Sequence, residues 1–266
     1  MGQPLAVTSE PSFLGSYEAR AALEFSSMPG MSIHLFSVEK CLGNLEALSA
    51  LLSEAEQARA AEISHTNRRN AYIASRGLLR AALTATSKGI VPPSAWEFGT
   101  GAYGKPYVTS PEGAQMRFSL SYTATLIAIA VSQKYELGVD IEAVPGTVSE
   151  VPWQVLTQAE RQFIHTLPAE EQFAEFLNIW TMKEAYTKYL GVGASLDFRK
   201  VEVSTDKGDE SASTRVADPH LPDPTVKLRT IEVGWQQIVI AVAGGKPIEG
   251  AYAAPAGEAV SLLRRV

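Results

Sequence analysis

The stretch GVDIEAV, residues 138–144, sets Asp140 and Glu142 two positions apart inside an apolar run. Alternate residues of a strand point to the same face, so both carboxylates are presented together. Val139, Ile141 and Val144 have the character of strand core. Two ionised carboxylates side by side repel. Either a hard divalent cation such as magnesium, which takes oxygen ligands, or arginines at an exposed strand edge would reconcile them. Further on, WTMKEAYTKYLG (180–191) places Glu184 and Lys188 four apart on one helix face, with Trp180 one turn earlier. A third carboxylate beside a lysine could complete a metal site and neutralise a phosphate. The same pair also fits an ordinary helix salt bridge.

These residues need elements to carry them. ELGVDIEAV (136–144) reads as a strand, and the segment 170–193 as a long helix stopped by Gly191 and Gly193. TQAERQFIHTL (157–167) opens as a helix with Thr157 as cap and Glu160 at the capping-box position. Upstream, SIHLFSV (32–38) alternates as a strand. SEAEQARAAEIS (53–64) is helical, with Ser53 and Glu56 in the same capping relation, and 68–86 is a second helix with Tyr72, Leu79 and Leu83 as its apolar stripe. The glycines and prolines of 99–113 read as a loop holding one short strand, and RFSLSYT (117–123) and TLIAIAVSQ (125–133) as strands. Residues 205–225 are polar and read as a loop, followed by a hairpin over 225–245. TLIAIAVS (125–132) is echoed by QIVIAVAG (237–244), which predicts two similar α+β lobes. The domain reading is an extension over 1–30, an N-terminal lobe over 31–133 and a C-terminal lobe over 134–266.

Composition narrows the function. The chain of 266 residues is 45% hydrophobic, with a formal net charge of −6. That excludes non-specific nucleic-acid binding as the main role. No run is long and apolar enough for a membrane helix, and the start MGQPLAVTSEPSF has no signal-peptide pattern. The single cysteine, Cys41, rules out an internal disulfide and fits a cytoplasmic protein. Against the acidic total, Arg59, Arg68, Arg69, Arg76 and Arg80 fall within 22 residues. They fit either a surface for a small anion or a solvated helix face. P-loop, H-E-x-x-H and G-x-S-x-G patterns are absent.

The G-x-D-x-E of Gly138, Asp140 and Glu142, followed by the W-x-x-K-E-A-x-x-K of Trp180, Lys183, Glu184, Ala185 and Lys188, resembles the 4′-phosphopantetheinyl transferase family. The likeness is to its two-lobed single-chain class, often called Sfp-type. GKPY (104–107) and FSLSYT (118–123) fall in family order upstream. The resemblance covers roughly residues 53–204, and the lobe echo extends it to about 244.

The resemblance implies a fold of two similar α+β lobes with pseudo-two-fold symmetry and an active site at the interface between them. It implies transfer of the phosphopantetheine arm of coenzyme A to a serine of an apo acyl or peptidyl carrier protein, as in polyketide or nonribosomal peptide systems, with release of 3′,5′-ADP. It assigns magnesium to Asp140, Glu142 and Glu184, the serine proton to Glu184, and phosphate contact to Lys188. Lys105 and Pro106 of the GKPY loop would meet the nucleotide. Arg59, Arg76, Ser121 and Tyr122 would meet its phosphates. Two lobes in one chain imply a monomer. The family usually reads Ser-His where this chain has Ser121-Tyr122, and a tyrosine brings no positive charge to a pyrophosphate near neutral pH. Two other readings use the same residues: a magnesium phosphohydrolase, with water in place of the serine, and a non-catalytic coenzyme A binder.

Overall fold

The computed structural model describes residues 18–20, 30–111, 115–145, 149–205, 211–216, 225–233 and 236–245. The chain divides into two compact units, one of residues 1–99 with 108–134, the other of residues 100–107 with 135–266. Both mix helices with antiparallel sheet, an α+β architecture.

In unit 1, β1 (Glu18–Arg20) and β2 (Met31–Ser37) precede four helices: α1 (Val38–Leu42), α2 (Leu45–Ser49), α3 (Glu54–Glu62) and α4 (Thr66–Thr86). The hairpin β3 (Glu97–Thr100) and β4 (Pro106–Ser110), whose residues 100–107 belong to unit 2, follows, then β5 (Arg117–Tyr122) and β6 (Leu126–Ser132). The sheet runs β1-β2-β6-β5. Every residue of β6 is buried, as a central strand requires, and its Ile127 and Ile129 pack with Ala74, Leu78 and Leu79 of α4. Leu79 and Leu83 are buried as the periodicity predicts, while Tyr72 is half-buried. The stretch 99–113, read as a loop with one strand, holds strands at both ends of the β3–β4 hairpin.

The Ser53 capping box forms in full: Ser53 Oγ accepts from the Glu56 backbone, and the Glu56 carboxylate accepts from the Ser53 N–H at 3.0 Å. The same carboxylate pairs with Arg80 at 2.9 Å. Arg80 is buried, donates to the carbonyls of Pro93 and Trp96, and lies over the Phe98 ring. The basic stretch is therefore not one surface. Arg80 is a core residue, because its guanidinium has more fixed donors than any other side chain with which to satisfy buried acceptors.

In unit 2, β7 (Leu137–Ala143) leads to α5 (Gln158–His165) and the long helix α6 (Ala169–Leu190), then β8 (Val201–Thr205), β9 (Ser211–Val216), β10 (Thr225–Val233) and β11 (Gln236–Gly244). The sheet order is β7-β11-β10-β9-β8. β9 falls inside the stretch read as a loop. Its polar sequence SASTRV hides a strand that pairs with both β8 and β10. The second core joins Leu156, Ile164, Ile179, Met182, Tyr186 and Tyr189 with Ala241 and Ala243 of β11. α6 stops where the sequence places the stop. Gly191 takes the left-handed conformation at φ 74°, and its N–H returns to the Thr187 carbonyl.

Candidate active site

Among the described residues β7 is an edge strand of its sheet, paired with β11, where Asp140 faces Ala241 and Glu142 faces Val239. Leu137, Val139 and Ile141 fall on one face and are fully buried. Gly138, Asp140 and Glu142 fall on the other, which lies against α6. The approach is close. A Cβ on Gly138 would sit 2.0 Å from the Ala185 carbonyl oxygen and 2.4 Å from the Tyr189 nitrogen. Only a residue without a side chain lets the strand meet the helix backbone here.

That contact sets the register between strand and helix. Lys188 donates to Asp140 Oδ1 at 2.6 Å, with Asp140 buried and Lys188 partly exposed. Trp180 Nε1 donates to Glu142 Oε1 at 3.1 Å. Glu184 lies on the helix between them, half-buried. Positions 180, 184 and 188 form one helix face, one turn apart. Glu184 and Lys188 make no ion pair with each other among the described residues; the lysine is given to the strand instead.

The three carboxylates feel one another. Burial raises the pKa of Glu142, Asp140 raises it further, and the Trp180 hydrogen bond and Lys188 oppose the rise. Burial likewise raises Glu184, with Asp140 and Glu142 adding to the effect and Lys188 opposing it. The three acids lie within reach of the Lys188 ammonium, and their donor set is all oxygen. In donor type and in charge these residues fit a hard divalent cation such as magnesium. They are not drawn up as a finished cage: among the described residues no group of three or more carboxylate, histidine or cysteine side chains encloses a metal position. One oxygen of Asp140 accepts from Lys188 and one of Glu142 from Trp180.

Lys105 belongs to the same unit but not to this cluster. Its ammonium donates to the carbonyls of Leu137 and Tyr189 and lies 3.5 Å from Glu136. It ties the loop 100–107 to the start of β7 and the last turn of α6, whose carbonyls lack helical partners. Pro106, next to it, is half-buried. In unit 1, Arg59 is exposed and paired with Glu62 at 2.7 Å. Arg76 lies over the Tyr72 ring, and its buried Nε has no hydrogen-bond partner among the described residues. Ser121 is buried, and Tyr122, next to it on β5, is 41% exposed.

Lys183 was legible as part of the motif but carried no role. It is fully buried, donating to Glu160 at 2.6 Å and to the carbonyls of Val155 and Phe198. Burial lowers its pKa, and Glu160 opposes that shift. Trp180's hydrogen bond to Glu142 also escaped the sequence reading, because nothing local links residues 38 apart. Cys41 is buried, and burial pushes its thiol up to about 12, which makes it inert near neutral pH. No helix among the described residues is long and apolar enough to cross a membrane.

The model of the 4′-phosphopantetheinyl transferase superfamily matches residues 136–243, which contain β7 and α6. The chain is 32% identical over 141 residues to a 4′-phosphopantetheinyl transferase of Bacillus subtilis, covering 52% of this chain and 61% of that protein. It is 34% identical over 124 residues to the transferase pptA of Paxillus involutus, covering 40% and 47% of the two chains. It is 31% identical over 158 residues to the transferase AcpT of Salmonella typhimurium, covering 58% and 74%. The chain therefore spans between about half and three quarters of the length of these relatives.

Proposed function

Since the chain belongs to the 4′-phosphopantetheinyl transferase superfamily, we propose that it moves the 4′-phosphopantetheine group of coenzyme A onto a serine of an apo acyl or peptidyl carrier protein, releasing 3′,5′-ADP. We assign magnesium to Asp140, Glu142 and Glu184. The observation that carries this reading is the pairing of β7 with α6, which brings three carboxylates and one lysine together inside the matched region.

Chemically, the serine oxygen forms a bond to the β-phosphorus of the pyrophosphate, and the bond from that phosphorus to the bridging oxygen breaks. 3′,5′-ADP leaves with the electron pair. Glu184 accepts the serine proton. Burial and the neighbouring Asp140 raise its pKa above the ordinary carboxylate range, the direction that strengthens a general base. When bound, magnesium supplies positive charge against the phosphate oxygens. Lys188 holds Asp140 and is exposed enough on its outer side to reach a phosphate. Positioning and charge stabilisation dominate such a transfer. Arg59, Arg76, Ser121 and Tyr122 are assigned to the phosphates. Lys105 and Pro106 of the 104–107 loop are assigned to the nucleotide.

Intact mass of an apo carrier protein, incubated with the enzyme and coenzyme A with magnesium or with EDTA, tests the reading. The expected result is a gain of one phosphopantetheine arm that needs magnesium and falls by about 100-fold or more in rate in Glu184→Ala, the lower range for a lost general base. Coenzyme A consumed with the carrier unmodified would replace transfer with hydrolysis. Coenzyme A bound and unreacted across several carriers would leave a binding protein.

The histidine that the family places beside Ser121 offers a second test. Tyr122 is exposed on β5, so Tyr122→His has room and adds a donor that can carry charge. The expected result is transfer equal to or faster than the parent in the same mass assay. Abolished transfer in a variant with unchanged circular dichroism would show that the tyrosine itself serves the reaction.

A further inference from the structure

We propose that Trp180 is a positioning residue: its indole N–H fixes the carboxylate of Glu142 for metal binding without cancelling its charge. The proposal rests on the assignment of Glu142 to magnesium made above and concerns how this chain prepares that ligand.

Three observations carry it. Trp180 Nε1 donates to Glu142 Oε1 at 3.1 Å, within hydrogen-bond range. The indole is held from behind: its ring lies 5.1 Å from the Phe198 ring and 6.3 Å from Phe176, stacked on the latter. Phe198 is itself tied down, since its carbonyl accepts from the buried Lys183, whose ammonium pairs with Glu160. A chain of contacts thus runs from the cap of α5 through Lys183 and Phe198 to the indole and ends on the Glu142 carboxylate.

The residue type matters as much as the geometry. An indole nitrogen is a donor only. It cannot accept a proton, ligate a metal or take the carboxylate's negative charge. Lys188, by contrast, brings a full positive charge to Asp140. Were both strand carboxylates held by ammonium groups, the cluster would have little net charge left to attract a cation. A neutral donor secures one oxygen of Glu142 and leaves the second oxygen to a ligand. Partners of this kind around metal ligands are worth about 10–100-fold in metal affinity.

The test uses Mn²⁺ as the probe, titrated into the full chain and followed by the loss of the free-ion electron paramagnetic resonance signal. Trp180→Phe removes the N–H and keeps an aromatic ring against Phe176 and Phe198. The benzothienyl analogue of tryptophan at position 180 keeps the bicyclic shape and lacks only the N–H, so it covers the case in which the phenylalanine variant is poorly folded. The expected result is Mn²⁺ binding weaker by about 10-fold in both variants. In a Glu142→Ala background, the further change at Trp180 has no effect, because the indole acts through that carboxylate. Affinity unchanged in both variants, or an equal loss with and without Glu142, overturns the positioning role and leaves the transfer reading intact. Failure of the parent chain to bind Mn²⁺ overturns the metal assignment itself, and this inference with it.

Discussion

Gly138→Ala destroys the stable packing of β7 on α6. The new methyl would sit 2.0 Å from the Ala185 oxygen, 2.4 Å from the Tyr189 nitrogen and 3.0 Å from the Lys188 carbonyl carbon. All three are backbone atoms of one helix, so no side chain can swing away; strand and helix must separate. Overpacking against side chains costs about 1–3 kcal/mol, and a clash of backbone with backbone belongs at or beyond the top of that range. For a chain of this size about 3 kcal/mol lowers Tm by roughly 6–12 °C. Separation also moves Asp140 from Lys188 and Glu142 from Trp180, so the proposed transfer is expected to be lost together with stability. Thermal melting and the carrier mass assay read the two effects. Gly43→Ala, where an added Cβ meets nothing within 4 Å, is the control and leaves both unchanged. A Gly138→Ala protein that melts and transfers like the parent would show that the close approach of β7 to α6 is not needed.

Lys183→Met is the second large effect. Methionine fills much the same volume but leaves the Glu160 carboxylate, itself almost fully buried, without its counter-ion. That carboxylate also accepts from the Thr157 N–H at 2.8 Å and from the Val203 N–H at 2.9 Å, so it cannot turn out to water without uncapping α5 and releasing β8. Removing one partner of a buried pair costs about 3–5 kcal/mol, because the remaining charge stays buried. Urea unfolding should show a loss of that size. Adding Glu160→Gln to the same chain recovers part of it, since glutamine can serve as the capping-box acceptor without a charge. If the single variant unfolds at the parent midpoint, the pair contributes nothing and Lys183 is a space-filler.

Local devices were legible in the sequence, and distant ones were not. The capping boxes at Ser53–Glu56 and Thr157–Glu160 form as read, because cap and partner are three residues apart. Asp140, Glu142, Glu184 and Lys188 could be singled out because strand and helix periods say which residues share a face. What those faces meet is a tertiary matter. Glu184–Lys188 looked like a helix pair, yet the lysine reaches a strand 48 residues away in sequence. No local pattern shows that the Lys105 ammonium meets the Tyr189 carbonyl, 84 residues distant, together with Leu137 and Glu136. Composition misled at β9, where SASTRV has the polarity of a loop and becomes strand only through its neighbours on both sides.

The pairing of β7 with α6 also works as two matched rulers. Two residues of strand advance about 6.6 Å, and four residues of helix advance about 6 Å. Asp140 and Glu142 therefore stand one helix turn apart, and Lys188 and Trp180, two turns apart, bracket them from outside with Glu184 at the midpoint. Because the side-chain pairs depend on both scales, a change of residue number in either segment displaces all of them at once. A single inserted residue in β7 before Asp140 would turn both carboxylates to the opposite face, and one inserted in α6 between Trp180 and Lys188 would swing the helix face by about 100°. Length is thus fixed most tightly along these two segments, and insertions in this chain should be tolerated outside them.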